Sequence, residues 1–388
     1  MNGRHLRLNI SNIFIYIALI FCFEPKIFVK NNTLNALFII GALLVFFTVT
    51  IQYFSNNTKI SNFIALLILY RLSFIVQTVL ARGDILMWGY MSIVLITLAA
   101  LTEMQMERDA LNYLKKISNV LLLYLIINLI VSIKYPNGII KEIYFIGIRT
   151  RTTDVIFPAV CLALIIDWMQ SVKFSFRLVL TVLVSVALIV RLWIATALVG
   201  CGLFILLLII AERSKLIAKC INLRSTTYMG PVLSYCIVVL RIQNIFAFII
   251  EGMLHKRLTL SGRTEIWDIA IQIIKPGLLF GYGMRDNGNF VPWAYTGDPI
   301  SLWQGHNQWV QILYDGGLIT LFVLVAFIAY PHGKMKRYTN FASLCLSITN
   351  LVFMIMMITE IYTYTPYYFL IPIVGYSIDR ITQYKEGM

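Results

Sequence analysis

Apolar runs of close to twenty residues recur along nearly the whole chain, as in "LFIIGALLVFFTVTIQYF" from Leu37 and "WVQILYDGGLITLFVLVAFIAY" from Trp309. That length matches the hydrocarbon core of a bilayer. Backbone groups there have no water to bond, so a spanning segment is a helix or part of a closed barrel. These runs are too long and too uniformly apolar for barrel strands. Hydrophobic residues make up 59% of the 388 and charged residues 13%, whereas a soluble domain is about a quarter charged. The fold class to expect is an all-α polytopic membrane protein, a single integral membrane domain over residues 1–388.

Hydropathy places about twelve transmembrane spans, at 9–23, 33–54, 60–80, 85–101, 117–134, 154–170, 174–190, 193–211, 229–250, 308–330, 340–359 and 364–379. Both termini then lie on one side. The larger share of the 32 Lys and Arg falls in the short loops of that side, among them Arg108, Lys115, Lys116, Lys334 and Lys336. The positive-inside rule makes it the cytoplasm, so both termini are expected there. Arg71 and Arg241 fall inside expected spans. The first apolar run follows Arg4 and Arg7, but "FCFEPK" after it is no cleavage site, so it reads as the first span. The six cysteines lie in or beside apolar runs without metal spacing and read as small packing residues.

The net charge of +14 needs no nucleic-acid partner. Part of it is positive-inside loops. The rest is a surplus of arginine on the outer side, where topology does not call for it: Arg149 and Arg151 in "GIRTRTT", Arg191 in "IVRLWIATALVG", and Arg257 and Arg263 in the long segment 251–305. Such a surplus points to an anionic ligand outside the membrane, with lipid headgroups as the plainer account.

The segment 251–305, between the ninth and tenth spans, is the one stretch able to form an extracytoplasmic loop domain. In it "SGRTEIWDIAIQIIKPG" has helical spacing. Ser261 or Gly262 can cap the helix, Glu265 and Asp268 suit its first turns, and Pro276–Gly277 end it. Its apolar stripe is expected on the membrane surface or against the spans. Arg263 at the first turn adds paired donors to a helix end that already favours anions. Trp267, four residues on, shares its face, an arrangement suited to a sugar diphosphate or to a snorkelling arginine beside an interfacial tryptophan. "GYGMRDNGNFVPWAYTGDP" follows as an irregular, glycine-rich cover.

His306 stands where the tenth span begins. The helix N-terminus and nearby arginines disfavour imidazolium, so the ring is expected neutral and able to take a proton from a hydroxyl, or else simply to cap the helix. Asn307 is placed to orient the ring or bind substrate. Gly316–Gly317 would admit another helix or a lipid chain.

"SGRTEIW", a glycine-rich loop, and "HNQWVQILYDGGLIT" entering a span together resemble the O-antigen ligase/polymerase superfamily, and "RLWIATALVG" resembles its arginine-bearing turn. The ligase signature of that superfamily is His, then Asn, Ser or Gln, nine residues, then Gly-x-x-Gly. Here His306, Asn307 and Gly317 fit, and Thr320 stands in place of the last glycine. The resemblance implies a membrane glycosyltransferase with His306 as base and Arg191 and Arg263 as a diphosphate clamp. Arg149, Arg151, Arg257, Trp267, Asn307 and Glu360 become candidates for substrate binding, Glu360 also for orienting His306 or an arginine.

The implied reaction is metal-independent, inverting transfer of a glycan from undecaprenyl diphosphate at the outer face of the cytoplasmic membrane. No cofactor or metal is expected. Expected partners are the lipid-linked donor and acceptor, membrane lipids, a chain-length regulator and a flippase. Thr320 favours a repeat-unit polymerase over a ligase acting on a lipid core or protein. A flippase for the same lipid is the rival of a different class. It would line a central cavity with charge and show inverted repeats, which the sequence lacks.

Overall fold

A serine, asparagine or aspartate stands at the head of most apolar runs, and its side chain starts the helix. The computed structural model describes residues 11–56, 59–246, 263–284 and 305–387. Ser11 accepts from the Phe14 N–H at the start of α1 (Asn12–Cys22), and the short α2 (Lys26–Val29) follows Pro25. Next come α3 (Asn32–Asn56), α4 (Asn62–Leu72, capped by Ser61), α5 (Ile75–Leu80) and α6 (Ile85–Lys134, capped by Asp84). A 3-10 turn, Arg149–Arg151, leads into α7 (Thr152–Met169). Then follow α8 (Phe176–Leu192, capped by Ser175), α9 (Ala195–Arg213), α10 (Lys215–Cys220) and α11 (Leu223–Val238). Asn222 and Ser225 form a reciprocal capping box on α11. The chain continues with α12 (Arg263–Ile274), α13 (Gln308–Ala329), α14 (His332–Met335), α15 (Phe341–Met356, capped by Asn340), α16 (Leu370–Tyr376) and α17 (Ile378–Glu386). Each such cap contributes about 1 kcal/mol to its helix.

Among the described residues there is no β-strand, and six helical segments are long and apolar enough to cross a membrane. They run over 32–56, 62–80, 85–134, 149–169, 195–213 and 308–335. The protein is thus an all-α chain with the build of a membrane protein. Of the segments expected as spans, 9–23 and 340–359 appear as the shorter apolar helices α1 and α15. The segment 364–379 is interrupted: turns precede α16, and Ser377 separates it from α17.

Two expected spans, 85–101 and 117–134, belong to α6. Its fifty residues would measure about 75 Å if straight, far more than a bilayer. The helix is broken at Asp109 (φ −157°, ψ 88°), whose carboxylate accepts from the Asn112 N–H at 3.0 Å and starts the second arm. The hydroxyls of Thr102 and Tyr113 lie 3.0 Å apart across the break. Eleven residues along a straight helix would separate those Cα atoms by about 16 Å, so the two arms bend toward each other.

Arg241 does not lie within a helix. α11 ends at Val238, and Arg241 follows in a left-handed turn (φ 53°), where it pairs with Asp268 and donates to the Thr264 carbonyl of α12. The expected span 229–250 is correspondingly displaced toward the N-terminus. The apolar stretch of α7 is 83% buried against 22% for α3 and α9. α7 is therefore the centre of the bundle, and α3 and α9 face outward, where lipid would cover them.

Candidate functional site

α13 begins where three other parts of the chain meet. Asn307 caps it: its side-chain oxygen accepts from the N–H groups of Trp309 (2.9 Å) and Val310 (3.1 Å), and its amide nitrogen donates to the Ile358 carbonyl (3.0 Å). The Ser234 hydroxyl of α11 lies within 3.0 Å of the same amide. Gln308 reaches the other way. It accepts from the N–H groups of Tyr362 and Thr363 and donates to the Thr363 hydroxyl at 2.7 Å. Both side chains are wholly buried. Asn307 thus positions the loop, with its amide taken up by protein partners.

α12 lies across this junction. Its stripe of Trp267, Ala270, Ile273 and Ile274 packs on Val310 and Tyr314 of α13 and Val238 of α11. Of the two placements expected for it, packing on the spans is the one adopted. Trp267 is completely buried, and its indole N–H donates to the Gly305 carbonyl at 2.9 Å. Its ring is thus enclosed by protein and holds the residue before His306. The Gly305 N–H in turn donates to Gln311 (2.9 Å), whose amide donates to Asp315, and Asp315 accepts from the Tyr364 hydroxyl at 2.6 Å. Both backbone polar groups of Gly305, the residue before His306, are held.

His306 itself has left-handed backbone (φ 44°), a conformation costly for a side chain with a Cβ and maintained by its surroundings. The ring is half-buried, and its Nδ1 is buried without a hydrogen-bond partner among the described residues. Burial lowers its pKa to about 4, with the charges of Arg263 and Arg151 acting in the same direction. The imidazole is neutral at pH 7.

Three cations approach from separate elements. Arg263, at the first turn of α12, pairs with Glu360 at 3.3 Å through Nη2. Arg151, heading α7, donates to the Ile361 carbonyl and lies 3.8 Å from Asp154. Lys26 of α2 interacts electrostatically with Arg151, Glu24 and Asp154. Burial raises the pKa of Glu360, while Arg151 and Arg263 oppose the rise. The result is a neutral imidazole beside interleaved cations and carboxylates at one end of the bundle. An incoming phosphate can take over guanidinium donors now facing carboxylates.

No protein-family model matches the sequence, and no curated protein is similar to it.

Of the residues singled out from sequence, the fold brings His306, Asn307, Arg263, Trp267, Arg151 and Glu360 together. Arg191 ends α8 with an exposed side chain that donates to the Ser132 carbonyl of α6 at 3.0 Å, and no contact links it to His306. Arg149 is exposed at the start of the 3-10 turn. Arg257, the Ser261–Gly262 cap and most of the glycine-rich cover lie outside the described residues. Lys26, Gln308 and Gln311 belong to the cluster although sequence reasoning gave them no role. Lys26 is some 280 residues from His306, and nothing near it in the sequence marks it as part of the site.

The glycine pair has a definite use. α13 breaks at Gly317 (φ 66°, ψ −164°), and the segment Leu278–Gly283 enters the gap. There Tyr282 and Gly283 donate to the carbonyls of Tyr314 and Asp315, and Leu318 donates to Leu278. Thus an irregular stretch of the same chain approaches the glycines. Thr320 is buried with its hydroxyl 2.8 Å from that of Ser73, linking α13 to the end of α4.

Proposed function

We propose that the protein is a membrane glycosyltransferase that polymerises oligosaccharide repeat units carried on a polyprenyl diphosphate. The observation that carries this is the convergence of neutral His306 with Arg263, Arg151 and Glu360 at one end of the bundle. The guanidinium groups hold the diphosphate and stabilise it as it leaves. His306 accepts the proton of an acceptor sugar hydroxyl as that oxygen attacks the anomeric carbon. One displacement inverts the configuration at that carbon. Glu360 keeps Arg263 oriented before the donor binds. Arg151 takes the second position of the clamp expected at Arg191, because Arg151 acts on His306 together with Arg263. The site faces the outer side of the cytoplasmic membrane, with both termini in the cytoplasm.

The test is reconstitution of purified protein in liposomes with a single lipid-linked oligosaccharide and a chelator. A ladder of longer lipid-linked glycans is expected. Transfer only to an added lipid-core or protein acceptor would make it a ligase. Movement of the substrate between leaflets without any new glycosidic bond would make it a flippase.

A further inference from the structure

A large cavity among the described residues is lined by none of the residues around His306. It has a volume of about 1510 Å³ and runs between α7, α8, α9 and α15 toward α10 and α14. Drug-sized pockets occupy roughly 300–1,000 Å³, so this one suits a larger occupant. Its walls are aliphatic and aromatic for most of their length, as at Phe157, Leu164, Val182, Leu183, Phe204 and Leu208. One end is different. There Lys219 stands in the last turn of α10, His332 opens α14, and Lys336 comes just after it, with Asn222, Asn340 and one acid, Glu212, also lining the cavity. His332 and Asn307 stand beyond opposite ends of α13, so the polar end of the cavity lies at the face of the bundle opposite His306.

The polar end is not balanced within the protein. Neither the Lys219 nor the Lys336 ammonium makes an ion pair or hydrogen bond among the described residues, and the His332 Nδ1 is buried without a partner there. The Arg224 guanidinium adds its field to that of Lys336 at the His332 ring. Long apolar walls ending in unpaired cations at membrane-surface level are complementary to an acyl chain with a negative headgroup. A polyprenyl diphosphate serving His306 would carry its charge at the other face.

We infer that the cavity is a binding site for an anionic phospholipid of the leaflet opposite the His306 site, its acyl chains between α7, α8, α9 and α15 and its phosphate at Lys219 and Lys336. A lipid here fills the space between α9 and the central helix α7. It also makes the fit of those helices depend on the charge of the surrounding membrane.

The experiment needs no catalytic assay. The full chain is placed in bilayer discs of phosphatidylcholine with increasing phosphatidylglycerol, extracted gently, and its retained lipid identified by native mass spectrometry. Phosphatidylglycerol is expected to be retained in preference to phosphatidylcholine. The double variant Lys219→Gln/Lys336→Gln should hold it about 30-fold more weakly, as for loss of two near-surface lysines. A second variant, Val182→Trp, fills the apolar wall without changing charge and should also expel it. Equal retention of the two phospholipids would overturn the inference. So would an unchanged phosphatidylglycerol signal in the lysine variant, or displacement of the lipid by polyprenyl phosphate alone.

Discussion

The indole of Trp267 donates to the carbonyl of Gly305, 38 residues away in the chain and immediately before His306. This bond joins α12, which carries Arg263, to the loop that carries the histidine. Arg263 and His306 are thereby tied to one another through the fold. Trp267→Phe keeps most of the apolar contact and removes the donor, leaving a buried carbonyl unpaired at a cost of about 1–3 kcal/mol. The protein should still fold, with a modest drop in melting temperature, while turnover falls more than donor affinity does. Equal losses in Trp267→Phe and in an unrelated core variant of the same stability would remove the positioning role.

His306 should reveal itself through pH. The acid limb of kcat/KM reports the free enzyme. With the imidazole pKa lowered to about 4, activity should hold down to mildly acidic pH and fall as the ring protonates near 4. Arg263→Gln removes one of the positive charges that disfavour imidazolium, so the limb should move up toward the ordinary histidine value near 6.5. A limb that stays in place in Arg263→Gln would mean that another group titrates. His306→Ala should lose roughly 10²–10⁴-fold in single-turnover rate with donor binding little changed.

The two candidate clamps separate cleanly. Arg151→Ala and Arg263→Ala should each weaken binding of the diphosphate donor and slow turnover, with lysine restoring part of the loss because it offers a point charge without the planar fork. Arg191→Ala should leave donor affinity near that of the unaltered protein, since its guanidinium is engaged with Ser132. Donor affinities of the three purified variants check this. A loss confined to Arg191→Ala would return the clamp to the position that the sequence pattern indicates.

How far the sequence carried depended on distance along the chain. The apolar periods were legible because hydropathy is local: α12 and α13 begin where their composition puts them. The placement of Arg151 beside Glu360, and of Lys26 beside Arg151, was not legible. It depends on which helix ends meet, and the contacts responsible, Gln308 with Tyr362 and Arg151 with Ile361, join residues 54 and 210 apart. Trp267 shows a different limit. Helical spacing correctly put it on the face of Arg263, but spacing cannot say whether that face looks at a ligand or into the core. Arg241 was misplaced because the apolar run continues past Val238 although the helix ends there.

Gly317 offers a test of the frame that supports the site. Its backbone (φ 66°, ψ −164°) lies in a region open essentially to glycine alone. An added Cβ would also come within 2.4 Å of the Leu279 carbonyl, which is backbone and unable to swing aside. Gly317→Ala must therefore push out the Leu278–Gly283 segment, and with it the bonds from Tyr282 and Gly283 to α13. That segment follows α12 directly, so its displacement should shift Arg263 and Trp267 together. The expected outcome is a loss of several kcal/mol in stability, from strain of about 1–3 kcal/mol plus the broken bonds, with activity lost along with it. Gly333, by contrast, has open space where its Cβ would go. Gly333→Ala, beyond the far end of α13, should leave melting temperature and turnover unchanged. Thermal unfolding of the two variants side by side in the same detergent decides the matter: equal stability would mean that the break in α13 does not need its glycine.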